Sequence, residues 1–258
     1  MSSASVVMLC LQDTYFTQSF YHRFPYELAD LRTLQGTNRY CEAEAEAALT
    51  GLLKRYPLKA IHLLGSGNYH YLSAVWTGFI DQPFQLLVYD HHTDMQPPAF
   101  GDILSCGSWV LRVIDTNPYL RKVILAGPDQ ASYEQTPVQA RSKVAFISQE
   151  RLACEDGNGW QEIAERIEPD LPLYVSVDKD ILGKLYAHTG WSQGETTLEQ
   201  LTGSLETILR VCADRGQEVL GADLCGEAEQ ADPDFAGVNE YANEQLVSLL
   251  YRYLRSPQ

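Results

Sequence analysis

Seven short, uninterrupted apolar runs punctuate this chain, with longer helical segments between them. The runs are Val6–Leu11, Ala60–Leu64, Gln85–Tyr89, Lys122–Ala126, Lys143–Ile147, Leu173–Val177 and Glu218–Gly221. A strand with one wet face alternates apolar and polar residues. A continuous run fits a strand covered on both faces, as in a parallel sheet. The intervening segments Cys41–Arg55, Thr197–Arg215 and Glu240–Leu254 carry helical periodicity. In the second, Leu198, Leu201, Leu205, Ile208, Leu209 and Cys212 share a face, and Gly216 follows as a stop. Strands alternating with helices require crossover connections and predict an α/β fold: a single three-layer α/β/α domain over residues 1–258 with a mostly parallel central sheet. At 258 residues the chain is long enough for one large core. In such folds ligands bind beyond the carboxyl ends of the strands, so chemistry is sought just after each run.

The formal net charge of −15 argues against a nucleic-acid or anionic-membrane partner. Part of that charge is expected to be local, because a site made of carboxylates reads as acidic until its cations are counted. The six cysteines are scattered with no CxxC pair, which suits reduced thiols in a cytoplasm better than a disulfide framework. No stretch approaches the roughly 20 apolar residues of a spanning helix. The run Val6–Leu11 is too short for a secretory signal, so a cytoplasmic protein is expected.

Three run ends stand out. Leu64-Gly65-Ser66-Gly67-Asn68-Tyr69-His70 is a glycine turn leading to His70 at the opening of a helix. Tyr89-Asp90-His91-His92-Thr93-Asp94 places Asp90, His92 and Asp94 two apart, which in extended backbone turns all three to one face. Ser176-Val177-Asp178-Lys179-Asp180 repeats that spacing with two carboxylates, whose mutual repulsion calls for a cation. Each motif alone also fits a polar turn. Together they offer four Asp and two His on one edge of a sheet, and four negative charges balance two divalent ions. Carboxylate and imidazole without thiolate favour manganese, with zinc, iron, cobalt or nickel as alternatives. Two close metals sharing a water would generate a hydroxide nucleophile near neutral pH.

This pattern resembles the ureohydrolase family of arginases, agmatinases and formiminoglutamases. Gly67-Asn68-Tyr69-His70 is similar to its GGDH signature, Asp90-His91-His92-Thr93-Asp94 to DAHTD, and Ser176-Val177-Asp178-Lys179-Asp180 to SxDxD. Thr189–Thr197 resembles the TGTPxPGGLT loop, and Gly221-Ala222-Asp223-Leu224 the GLDxxE segment. The resemblance implies an arginase-like fold with one metal on His70, Asp90, Asp94 and Asp178, and another on Asp90, His92, Asp178 and Asp180. A bridging hydroxide would attack the trigonal carbon of a linear amidine or guanidine C–N bond, and Asp180 would pass its proton to the leaving amine. A small guanidino, amidino or formimino substrate and a homo-oligomer are implied as well.

The substrate side departs from the family. Cys106 stands where the arginase proton-shuttle histidine falls, Ile181-Leu182-Gly183-Lys184 follows Asp180, and Lys179 replaces an apolar residue. Gly226 occupies the position of the glutamate that grips the guanidinium, with Glu227 one residue later. Glu227 is therefore a candidate for that grip, and His188 a candidate acid or base, although a loop-packing role is the better expectation for His188. Trp191 fits pocket lining and core equally. The acidic group Glu227, Glu229, Asp232 and Asp234 is expected to be largely solvated. Two other readings fit the same residues: a catalytically silent member that binds a metabolite or partner, and a metal-dependent deacetylase on the related scaffold.

Overall fold

The computed structural model describes residues 5–154, 157–229 and 235–254. Ten strands occur in chain order: β1 Val6–Cys10, β2 Tyr26–Asp30, β3 Tyr40–Cys41, β4 Ile61–Leu63, β5 Phe84–Tyr89, β6 Leu104–Ser105, β7 Leu120–Ala126, β8 Val144–Ile147, β9 Leu173–Asp178 and β10 Val219–Cys225. The helices are α1 Ala43–Leu53, α2 Leu72–Thr77, α3 Trp109–Thr116, α4 Gln130–Glu134, α5 Gln149–Leu152, α6 Asn158–Glu165, α7 Leu198–Arg215 and α8 Ala236–Leu254.

Eight strands form one sheet in the order β2-β1-β4-β10-β9-β5-β7-β8. Every pairing in it is parallel. β3 and β6 make a separate antiparallel ribbon. Alternate residues of the strands serve two cores. Met8, Leu87, Ile124 and Val175 face α6, α7 and α8, while Leu9, Val88, Leu125 and Tyr174 face α1, α2 and α3. The sheet is thus the middle of three layers, and its continuous apolar runs are the consequence.

α7 shows how local sequence sets an element. Thr197 caps its first turn and Gln200 returns the bond to the Thr197 N–H, a capping box. Gly216 ends it in the left-handed region at φ +65°.

The site lies at the carboxyl ends of β4, β9 and β5. The parallel register pairs Tyr89 with Val177 and Cys225 with Asp178. Asp90 and Asp178 therefore leave adjacent strands at the same level.

Candidate metal centre

His70 arrives from the turn after β4. Ser66 caps the short 3-10 turn Gly67–Tyr69, and His70 closes it two residues before α2. The ring is 1% exposed. Its Nδ1 stands 3.1 Å from Asp90 Oδ2, 3.1 Å from Asp94 Oδ2 and 3.4 Å from Asp178 Oδ2. Its Nε2 lies 2.9 Å from Ser176 Oγ. The Ser176 hydroxyl donates to Asp223 Oδ1 at 2.6 Å, so its oxygen is left to accept from His70 Nε2–H. That relay assigns the proton to Nε2 and turns the Nδ1 lone pair toward the carboxylates, as a ligating histidine needs.

The segment after β5 converges in a way the two-residue spacing does not anticipate. The backbone is not extended there: it bends at His91 and His92, and Asp94 adopts φ +48°. The His92 amide donates to Asp90 Oδ1 at 2.6 Å, tightening the turn. Trp109 Nε1 donates to Asp94 Oδ2 at 2.6 Å and fixes that carboxylate. His92 Nδ1 lies 2.8 Å from Asp180 Oδ2 and 3.6 Å from Asp90 Oδ1, and its Nε2 lies 2.8 Å from Ser192 Oγ. After β9, Asp178 Oδ1 accepts the Asp180 amide at 2.9 Å, and Asp180 Oδ1 accepts the His91 amide at 2.9 Å.

Two groups of three result, His70/Asp90/Asp94 and Asp90/His92/Asp180, each with donor atoms within 4.8 Å of one another. Asp90 belongs to both. Asp178 joins neither group of three, but its Oδ2 faces His70 Nδ1.

The electrostatics call for cations. Burial, and then the neighbouring carboxylates, raise the pKa of Asp178 and Asp180 above the usual carboxylate range. Burial opposes the charged form of His70, yet its contacts with Asp90 and Asp94 prevail and lift its pKa well above the ordinary value. The same contest lifts His92 to about 12, with Asp180 and Asp90 as the raising partners. Asp90 Oδ2 is buried and has no hydrogen bond, although it lies 3.1 Å from His70 Nδ1. An orphaned carboxylate oxygen among imidazole and carboxylate donors fits a divalent ion and is costly without one.

A cavity of about 500 Å³ opens onto this cluster. Trp191 lines it and lies over Gly67, where a Cβ would stand 2.8 Å from Trp191 Cδ1. Cys106 lines it too, and burial pushes its thiol up to about 12, far from a thiolate.

Glu227 and His188 stand elsewhere. Glu227 is 1% exposed, pairs with the Lys179 ammonium and does not line the cavity. Its Oε2 accepts from Gln18 and Asn239 at 3.0 Å each, and its Oε1 also accepts from Asn243 at 2.7 Å. Every acceptor position it would turn to a substrate is engaged. Lys179, between two aspartates in sequence, does not compensate them but points at Glu227 and is fully buried. His188 stacks on Phe235 at 4.3 Å, and its backbone exchanges hydrogen bonds with the Asn239 side chain. It is a loop-packing histidine. Asp232 and Asp234 lie outside the described residues.

Several site residues escape sequence reasoning. Ser176 and Asp223 sit inside the quoted motifs, but nothing local marks them as the support of His70. Asn239 and Asn243, one helical turn apart in an apolar segment, are polar residues on a buried face, and that is a usable signal.

The family model described as the Arginase family matches residues 37–233. The chain belongs to the arginase family. An uncharacterized protein of Thermotoga maritima is 30% identical over 192 residues, covering 74% of this chain and 68% of that protein. Among solved structures, the chain resembles the proclavaminate amidino hydrolase of Streptomyces clavuligerus with a TM-score of 0.69 at 16% identity, covering 100% of this chain and 94% of that one. The formimidoylglutamase of Bacillus subtilis gives a TM-score of 0.70 at 14% identity, over 98% and 88% of the two chains. The arginase of Bacillus cereus gives 0.66 at 12% identity, over 98% of both. These likenesses show the fold. This arginase-family chain carries an Asp/His cluster that could hold metal. Among the described residues, no helix is long and apolar enough to cross a membrane.

Proposed function

We propose that this protein is a binuclear, manganese-favouring hydrolase of a linear amidine or guanidine-type C–N bond. The observation that carries the reading is Asp90, shared by two ligand groups and holding one oxygen with no hydrogen bond. His70, Asp90, Asp94 and Asp178 would hold one ion, and Asp90, His92, Asp178 and Asp180 the other. When bound, such a pair lowers the pKa of a water toward neutrality and offsets charge building on the substrate. Ser176 and Asp223 keep His70 in the ligating tautomer. The Asp180 backbone is anchored to Asp178, and Asp180 lines the cavity. Its carboxylate would take the proton of the attacking water and return it to the leaving amine. The proposed partner is a small guanidino, amidino or formimino compound, met in the cytoplasm by a homo-oligomer.

Manganese-loaded protein should contain two divalent ions per chain and release urea, ammonia or formamide from a compound in such a panel. Asp90→Asn should lose both the ions and the turnover. Fewer than two ions under metal-replete conditions would count against the reading. A second reading, a silent member that binds a metabolite, draws support from Glu227 being engaged by Lys179 and from Cys106 at the shuttle position. Two bound ions with no turnover across the panel would favour it.

A further inference from the structure

Lys179 and Glu227 form a buried ion pair that the proposed chemistry does not use. Desolvation offsets most of the attraction within such a pair, so stability alone does not account for it. What the pair touches does. All four donors to the Glu227 carboxylate, from Gln18, Lys179, Asn239 and Asn243, are themselves buried, so the carboxylate is a fixed anchor. They come from separate parts of the chain: the residue after the 3-10 turn Thr14–Thr17, the turn after β9, and α8.

The contacts fall unevenly on the two ligand groups. Lys179 sits between Asp178 and Asp180, so its ammonium ties their turn to Glu227. Asn239 Nδ2, which donates to Glu227 Oε2, also donates to the His188 carbonyl at 2.8 Å, and Asn239 Oδ1 accepts the His188 amide at 2.7 Å. The irregular segment 187–195 that contains His188 also carries Ser192, whose Oγ lies 2.8 Å from His92 Nε2. In the same segment the Gly194 amide donates to the Asp180 carbonyl at 2.7 Å. Asp180 and His92 are thus both tied to Glu227. The other ligands are held from elsewhere: Asp94 by Trp109, His70 by Ser176, and Asp178 by its place at the end of β9, paired with Cys225.

We infer that Lys179, Glu227 and Asn239 are positioning residues for one of the two ions: they set the placement of Asp180 and His92, and so the affinity of the ion that Asp90, His92 and Asp180 would hold. The ion beside His70, Asp90 and Asp94 is indifferent to them. The inference rests on the metal half of the hydrolase reading and not on turnover.

Manganese titration of the metal-free full chain tests it, with calorimetry reading the affinities and electron paramagnetic resonance telling a coupled ion pair from a single ion. The parent should bind two ions. In Lys179→Met/Glu227→Gln, where both charges leave together, one ion should bind as in the parent and the other at least about tenfold more weakly, the scale of losing a group that orients a ligand. The coupled signal should fade while the single-ion signal remains. Asn239→Ala leaves the ion pair intact but releases His188. It should weaken the same ion, and it carries the test if the double variant does not fold. Leu205→Ala, a cavity in the α7 core, should lower melting yet keep both ions at parent affinity, which separates positioning from general loss of stability. A parent-like affinity for the second ion in the folded variants, equal weakening of both ions, or selective loss of one ion in Leu205→Ala would overturn the inference. Two ions in the parent that persist in the variants remove the positioning role and leave the hydrolase. Fewer than two ions in the parent remove both.

Discussion

Replacing Glu227 by Gln leaves the Lys179 ammonium buried without its counter-ion. The pair sits next to the Asp/His cluster, since Lys179 separates Asp178 from Asp180 in the chain. Lys179 is 0% exposed and Glu227 1%, so water cannot reach the stranded charge. Breaking a buried pair by removing one partner costs about 3–5 kcal/mol, far above the value of a surface pair. The new amide NH₂ also confronts Gln18, Asn239 or Asn243, which are donors to the carboxylate in the native protein. At roughly 2–4 °C per kcal/mol for a domain of this size, melting should fall by about 6–20 °C. Urea unfolding should show a lower midpoint with an unchanged slope. Adding Lys179→Met removes the second charge and should restore at least about 2 kcal/mol, because both charges then leave together. A loss below about 1 kcal/mol in the single variant would refute the argument, as would a double variant whose loss equals the sum of the two singles.

Two further outcomes follow from particular atoms. At Gly226 a Cβ would stand 2.3 Å from Asp178 Oδ1 and 2.7 Å from the Lys179 amide, with φ at +91°. Gly226→Ala should therefore cost at least about 1–3 kcal/mol of backbone strain and lower the bound-metal count, and parent-like melting with two ions bound would contradict this. His62 is buried, stacked on Trp76 at 3.6 Å and hydrogen-bonded to Tyr174 OH and the Pro57 carbonyl. Burial depresses its pKa from 6.5 to about 3, the Pro57 contact opposing. A depressed histidine contributes stability that is present above pH 6.5 and lost as pH falls toward 3, with a slope approaching about 1.4 kcal/mol per pH unit. Metal-free protein unfolded in urea between pH 7 and 4 should show that decline, and His62→Phe should show a shallower one. Parallel curves would sink the assignment.

Much of the architecture was legible because it is encoded locally. Apolar runs without alternation announced the parallel strands, and the seven segments read from sequence correspond to β1, β4, β5, β7, β8, β9 and β10. β2 was missed because it is an edge strand. Tyr26 and Leu28 are exposed at 38% and 41%, and Glu27 and Asp30 break the apolar run. The three Asp/His motifs were legible for a similar reason. Their donors lie within a few residues of a strand end, and strand ends of a parallel sheet gather at one edge.

The chain's own order of residues thus determined which Asp and His side chains gather and on which edge of the sheet they emerge. It did not determine how the second motif converges, since a bend and a left-handed Asp94 replaced extended alternation. Nor did it assign Glu227, which four donors from Gln18, Lys179, Asn239 and Asn243 hold away from the cavity. Those outcomes depend on partners up to 209 residues apart, such as Gln18 and Glu227, and no spacing rule within a segment reports on them. Only the folded sheet brings such groups together, and burial then decides which charges pair with one another and which remain for a ligand.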